Sequence, residues 1–482
     1  MRILLILLLL LPCGASLHAL AQTTRRAPAV TTADDVYAVV AEVDRIASRV
    51  ALWPSFDPRR VPVEIYDGQT TFLFRHPNPP AEFVSLSSRR GVWAFAGRHE
   101  TATANAPAKL NGVWTATVMI ETAAKRTLRE RAALVVHEMF HVHQRERHPK
   151  WSGNELELFT YPFEDAELLA LRRLETEHLR RAERAASLKD AACHARLALD
   201  TRQERFARLS AGAAGYERAL ELNEGLARYV EARSINARES GLTANEFAAE
   251  ELRTRAYATG HALALLLERF AHATWEMRLE AGEPLSLDEL LAAALPASAT
   301  LPASATLPAA HALPNAAASP RSSSCALPES FKSAARVRAG VETGKLVARR
   351  ESLRREFAAQ AGWKIVVHAA AGAPLWPQGF DPSNVHRLGA TDVLHTRHLK
   401  LGNDAGAIES FHKQMLTSGA GAHPLFNGVR RLTLAGLAAE PVVREGEGKL
   451  SLEAEGIKAE FRGARLERAG QTLTINLQAA PR

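Results

Sequence analysis

The run Leu134-Val135-Val136-His137-Glu138-Met139-Phe140-His141 sets two imidazoles and a carboxylate at a spacing that could hold a metal ion beside a base. Thr127 followed by Glu130 reads as a capping box, apolar residues recur at helical spacing, and Pro149 sets the stop. On such a helix His137 and His141 stand at i and i+4, so both rings leave one face and can grip one ion. Glu138 lies about 100° round the helix. That places it beside an open coordination position rather than among the ligands, where a base acting on water belongs.

The spacing alone carries a false-positive risk, so the chemistry needs a third ligand. A carboxylate on a second helix crossing the first would supply it. Residues 221–231 offer Glu221, Glu224 and Glu231 near one face, at i−3, i and i+7. Glu224 is preferred, because Gly225 beside it removes a side chain and would let this helix approach the histidine helix closely.

His137-Glu138-x-x-His141 together with Leu222-Asn223-Glu224-Gly225-Leu226-Ala227 resembles the gluzincin zinc metallopeptidases, in particular the membrane-alanyl-aminopeptidase and leukotriene-hydrolase branch. The resemblance implies one Zn2+ per chain held by His137, His141 and Glu224, with Glu138 as general base. Tyr257-Ala258-Thr259-Gly260 is similar to that branch's downstream Y-x-x-G, whose tyrosine stabilises the tetrahedral intermediate. Glu231 and Asn223 are then expected to act on the ligands from behind, Glu231 by orienting a histidine. The likeness covers residues 110–270 and departs from the family in two places. A long helical insert separates the second histidine from the glutamate, and no G-x-M-E-N motif precedes the metal helix. The family's amine-holding glutamate therefore has no counterpart, which leaves endo- and exopeptidase action both open.

The surrounding chain must position these residues. Its 482 residues suffice for two or three domains with sizeable cores. The charge of +7 is spread without a basic block or interleaved aromatic pattern, which argues against nucleic acid as a partner. Met1-Arg2, the apolar run of residues 3–11 and Ala19-Leu20-Ala21 read as a signal peptide with cleavage after Ala21, too short for a membrane span. Pro12 before Cys13 does not fit a lipidated cysteine. A secreted or periplasmic protein is expected, in which Cys193 and Cys325 could form one disulfide.

The expected architecture is α+β. After the signal peptide (residues 1–21), residues 22–125 should form a β-containing subdomain, with an amphipathic helix over 36–52 and strands at 61–66, 71–74, 82–86, 91–96 and 112–120. The last strand borders the metal helix and could pair with an extended peptide. Residues 126–295 should form a helical zinc-site subdomain. Its insert, 164–209, is expected as one or two helices with solvated charge and with His178, Cys193 and His194 at the surface. Helices are also expected at 220–233, 244–252, 257–270 and 286–295. An Ala/Pro/Ser-rich linker (296–328) then leads to a helical segment and a small C-terminal β domain (329–482), with strands at 363–368, 393–401, 429–435, 450–454, 457–461 and 473–477. Trp376 to Pro382 echoes Trp53 to Pro58, a hint of duplication, and the scattered histidines of this region suggest no metal.

The function expected from these readings is hydrolysis of a peptide or protein by a zinc-dependent peptidase. The alternatives are a zinc hydrolase of a non-peptide substrate, or a secreted binding protein with an inert zinc site.

Overall fold

The structure is a computed structural model that describes residues 33–478, apart from 245–246, 273, 297–324, 382–383, 390 and 421–423. The expected signal peptide and most of the Ala/Pro/Ser-rich linker lie outside the described residues. The fold is α+β, and among the described residues no helix is long and apolar enough to cross a membrane.

Helix α1 (Ala33–Ala47) buries Val36, Val39, Val40, Val43 and Ile46 along one stripe. It packs with α2 (Leu128–Arg147) on one face of a six-stranded sheet. The sheet contains β1 (Val63–Tyr66), β2 (Thr70–Phe74), β3 (Val84–Ser85), β4 (Val92–Ala96), β5 (Ala106–Leu110) and β6 (Val113–Met119), in the order β3-β4-β2-β1-β6-β5. Alternation puts Val63 and Ile65 under the helices and Glu64 on the opposite face, where Thr101 and Thr117 donate to its carboxylate. The strand expected to pair with a peptide, β6, is interior: β1 runs parallel on one side and β5 antiparallel on the other. Strand β5, which sequence reading passed over, occupies the edge beside α2 because the turn at Asn111-Gly112 folds it back as a hairpin.

The insert forms a hairpin of α3 (Ala166–Arg184) and α4 (Leu188–Phe206). Its charge is only in part a solvated face: Arg184, Lys189, Asp190, Asp200 and Glu204 are exposed. Glu175, Arg202 and Arg205 are buried together with Arg255, Glu217 and Glu221, and their ion pairs run 2.5–2.8 Å. Four helices and one helical turn bring this complementary charge together, so pairing replaces hydration. His178 is likewise buried beside His194, and Cys193 is bonded to Cys325, which ties α4 to the stretch preceding α10.

The helix expected over 220–233 is broken into α5 (Ala211–Leu220), a π-helical turn (Glu221–Gly225) and α6 (Leu226–Ser234). Of the helix expected over 244–252, residues 244 and 247–251 are irregular and 245–246 lie outside the described residues; α7 (Leu252–Phe270) starts only at Leu252, and the Glu251 carboxylate accepts from the amide of Ala248. Helices α8 (Thr274–Glu280) and α9 (Leu287–Ala294) complete the bundle. Trp53 sits at its crossing, edge-on to Phe140, Tyr229 and Trp275 at 5.5, 6.5 and 5.5 Å between centroids. Each such pair contributes about 0.5–1.5 kcal/mol beyond burial. Trp376 instead begins a strand and is exposed, so the repeated Trp-Pro cluster marks two different environments and gives no sign of duplication.

Helix α10 (Glu329–Ala358) spans from α3 to the C-terminal strands, which form two sheets around one core. The seven-stranded sheet holds β7 (Trp363–His368), β9 (Val385–Arg387), β10 (Asp392–His395), β13 (Met415–Gly419), β14 (Val429–Leu437), β18 (Ala464–Ala469) and β19 (Thr472–Leu477), with β9 and β18 at its edges. The six-stranded sheet holds β8 (Trp376–Phe380), β11 (His398–Asn403), β12 (Gly406–Phe411), β15 (Val442–Gly446), β16 (Lys449–Ala454) and β17 (Ile457–Arg462). The single strand expected at 393–401 is therefore two strands in different sheets, with the chain turning at Thr396 and Arg397.

Candidate metal centre

Thr127 and Glu130 make the reciprocal capping bonds that start α2, with Thr127 N donating to Glu130 and Glu130 N to Thr127. From that start the helix buries His137, Glu138 and His141 on the face toward α6 and α7. The Nε2 atoms of His137 and His141 lie 3.1 Å apart, and Glu224 Oε2 is 3.3 Å from His141 Nε2. One donor atom from each of the three residues falls within 4.8 Å of the others. Tetrahedral ligands at about 2.0–2.1 Å from zinc stand about 3.3 Å from one another, so the set fits that ion.

Each histidine is oriented from behind. His141 Nδ1 is 2.7 Å from Gln144 Oε1, and Gln144 Nε2 donates to the carbonyls of Leu222 and Asn223 at 3.1 and 3.0 Å. His137 Nδ1 lies 3.2 Å from Glu231 Oε2, whose other oxygen meets Arg228. With both Nδ1 atoms facing acceptors, both Nε2 lone pairs point at the same spot as Glu224. Burial pulls His141 down, but the charge and hydrogen bonding of Glu224, the Glu138 charge and the Gln144 bond together outweigh it and raise His141 to about 9, while Glu224 is held well below the usual carboxylate range despite its burial. A donor cluster of this charge, without an ion, can only compensate itself with protons.

Glu138 is nearly sealed from solvent, and its Oε2 has no hydrogen-bond partner. Burial pushes its carboxyl up, partly offset by His137 and His141. The Tyr257 ring stacks parallel to His137 at 5.9 Å between centroids, and its hydroxyl lies in the field of the Glu224 carboxylate. Burial and then the Glu224 charge push that phenol up, so it keeps its proton. Asn223 Nδ2 donates to Glu224 Oε1 at 3.3 Å.

The π turn carries Glu224, and one extra residue per turn is a frequent mark of a functional site. Gly225 does permit a close approach, but to α7 rather than to the histidine helix. A Cβ there would meet the Cα of Gly260 at 2.5 Å, and one at Gly260 would meet Gly225 Cα at 2.7 Å. Glu221, one alternative third ligand, is taken by Arg202 and Thr259, and the other, Glu231, by His137 and Arg228.

Two residues of the centre escaped sequence reading. Gln144 stands at i+3 from His141, a signal that was there to be used. Arg253 donates to Glu224 Oε1 at 2.8 Å and also pairs with Glu155; it lies one turn before Tyr257 on the same face. A second group, His143, His148 and Glu280, is an anchor. Glu280 Oε2 accepts from Trp53 Nε1 at 3.0 Å and contacts both imidazoles, and Arg147 meets Oε1 at 3.1 Å. That donor load occupies the carboxylate and keeps His143 away from the metal centre.

The chain matches no protein-family model, no curated protein and no solved structure.

Proposed function

We propose that the chain is a zinc-dependent peptidase of gluzincin type, exported through its signal peptide. The observation that carries the reading is the convergence of His137, His141 and Glu224 beside Glu138, a buried carboxylate with an unengaged oxygen. These three ligands would hold zinc, which when bound supplies Lewis acidity toward water and a carbonyl oxygen. Glu138 Oε2 takes a proton from the attacking water and passes it to the leaving amine. The Tyr257 hydroxyl, protonated and adjacent, donates to the carbonyl oxygen as negative charge develops there. Gln144 and Glu231 hold the imidazoles, and Arg253 and Asn223 hold the second oxygen of Glu224. The disulfide supports an oxidising compartment. A closed structural zinc site is disfavoured, because among the described residues no fourth donor joins the cluster.

The test is metal analysis with a conservative pair of variants. Purified protein should hold one zinc per chain and cleave a mixed peptide library. Glu138→Gln should keep the metal and lose cleavage by orders of magnitude. Protein that holds no zinc, or a Glu138→Gln variant that cuts as well as the parent, would overturn the proposal.

A further inference from the structure

His261 of α7 is fully buried, yet neither of its ring nitrogens has a hydrogen-bond partner. A buried polar group in that state is costly and rare in folded proteins, and an occupant that bonds to it repays the cost. The ring lines a pocket of about 370 Å³ bordered by α6, α7 and the first turn of α2. A space of that size accommodates a small molecule. Burial, with Arg228 nearby, brings His261 down to about 3 against the pull of Glu231. The imidazole is therefore neutral and presents one N–H donor and one lone pair. Glu231 is the carboxylate that holds His137, so the pocket lies one residue behind the metal centre.

The charge around this pocket is one-sided. Arg129, Arg233 and Arg238 line it, and of the described residues that do so only Glu268 is acidic. Glu268 is engaged, with the Tyr229 hydroxyl 2.7 Å from its Oε1, and Arg233 donates to Glu276 at 2.7 Å. Arg129 and Arg238 are exposed at the rim, and among the described residues no acid pairs with either. Arg129 also stands in the first turn of α2, where the helix's partial positive charge adds to its own. Val50, Ala237 and Leu265 supply an apolar wall. Two unopposed guanidinium forks match a carboxylate, and the apolar wall favours one carried on a hydrocarbon stem over a bare inorganic anion.

We propose that this pocket binds a small organic carboxylate, with Arg129 and Arg238 pairing its charge, His261 hydrogen-bonded to it from within and Leu265 covering its stem. The site is separate from the metal ligands and does not rest on the peptidase reading. The carboxylate belongs either to a free acid or to the C-terminus of a short peptide.

The experiment uses the full chain as purified, with Glu138→Gln so that no peptide is consumed. It is titrated by calorimetry with 3-methylbutanoate, alanyl-leucine, alanyl-leucine amide and inorganic phosphate. At least one of the two carboxylates should bind about tenfold more tightly than both the amide and phosphate. The tighter of the two identifies the source. Arg129→Gln with Arg238→Gln, both at exposed and unpaired positions, should remove that preference while melting temperature and metal content hold. His261→Leu should weaken the same carboxylate about tenfold; should that variant fail to fold, the double arginine variant decides alone. The proposal is overturned if no probe binds, if the amide or phosphate binds as tightly as the carboxylates, or if folded His261→Leu binds as the parent does. A preference that survives the double arginine variant overturns it too, and would place the carboxylate at the metal centre.

Discussion

Gly225 and Gly260 meet backbone to backbone, and the third candidate ligand hangs from that contact. Neither position has room for a methyl group, since each added Cβ would fall within 2.7 Å of the other glycine's Cα. Overpacking of this kind costs about 1–3 kcal/mol. Gly260→Ala should therefore lower the unfolding free energy by that amount and weaken zinc binding by moving Glu224 off the histidines. Urea titration and chelator competition check both parts; an unchanged zinc affinity would show that the turn tolerates the shift.

Glu231 holds His137 from behind, at 3.2 Å from Nδ1. Loss of such an outer carboxylate typically weakens metal affinity about 10–100-fold. Glu231→Gln should do so without abolishing binding, whereas Glu224→Gln should cost far more. Equal losses for the two variants would place Glu231 among the ligands.

Stability should fall in acid because of the buried network. Three arginines hold Glu175 far below the ordinary carboxylate range, against its burial. A depressed native pKa stabilises above the unfolded value of about 4.3, and that contribution is lost as pH drops below it. Metal-free protein should begin to lose stability below about pH 6.5, where buried His178, His261 and His395, all lowered by burial, take protons only on unfolding, and should lose it more steeply below about pH 4.3 as Glu175 does the same. Glu175→Gln should be less stable at neutral pH by about 3–5 kcal/mol, with a flatter acid limb. A variant whose acid limb matches the parent's would assign the transition to other groups.

The Cys193–Cys325 bond joins residues 132 apart. Removing a crosslink of this kind typically costs about 2–4 kcal/mol. The double variant Cys193→Ser, Cys325→Ser should lose that much stability and retain its zinc, as neither sulfur approaches the metal centre. Identical unfolding curves for oxidised and reduced protein would contradict this.

Local signals were the legible ones. The Thr127–Glu130 cap and the i, i+4 histidines belong to one helix, and residues 221–231 gave a short list of acids that the fold narrows to Glu224 at the cluster. What could not be read is set by partners distant in sequence. Glu175 and Arg202 look solvated until α3, α4 and α7 are brought together. Arg253 looks like a surface residue until Glu224 arrives, and β5, Ala-Pro-Ala-Lys-Leu, is too poor in β-branched and aromatic residues to announce itself. The sandwich strands β8, β9, β12, β13, β15 and β18 lack a continuous apolar alternation, since several sit at edges or carry glycine.

The π turn at Glu221–Gly225 also fixes a phase. An α-helix with one residue added swings everything beyond the addition by about 100°. Helix α5 and helix α6 are thus two stretches of one rod whose apolar stripes are out of step by a single residue, and Glu224 occupies the seam. Excising Leu222 would bring the stripes back into step and make a more regular helix. It would also put α5 and α6 in mutual register only by rotating one of them off its present neighbours, with the carboxylate carried away from the histidine pair. In this protein the irregular turn is what lets the core packing of α6 and the aim of Glu224 be satisfied together.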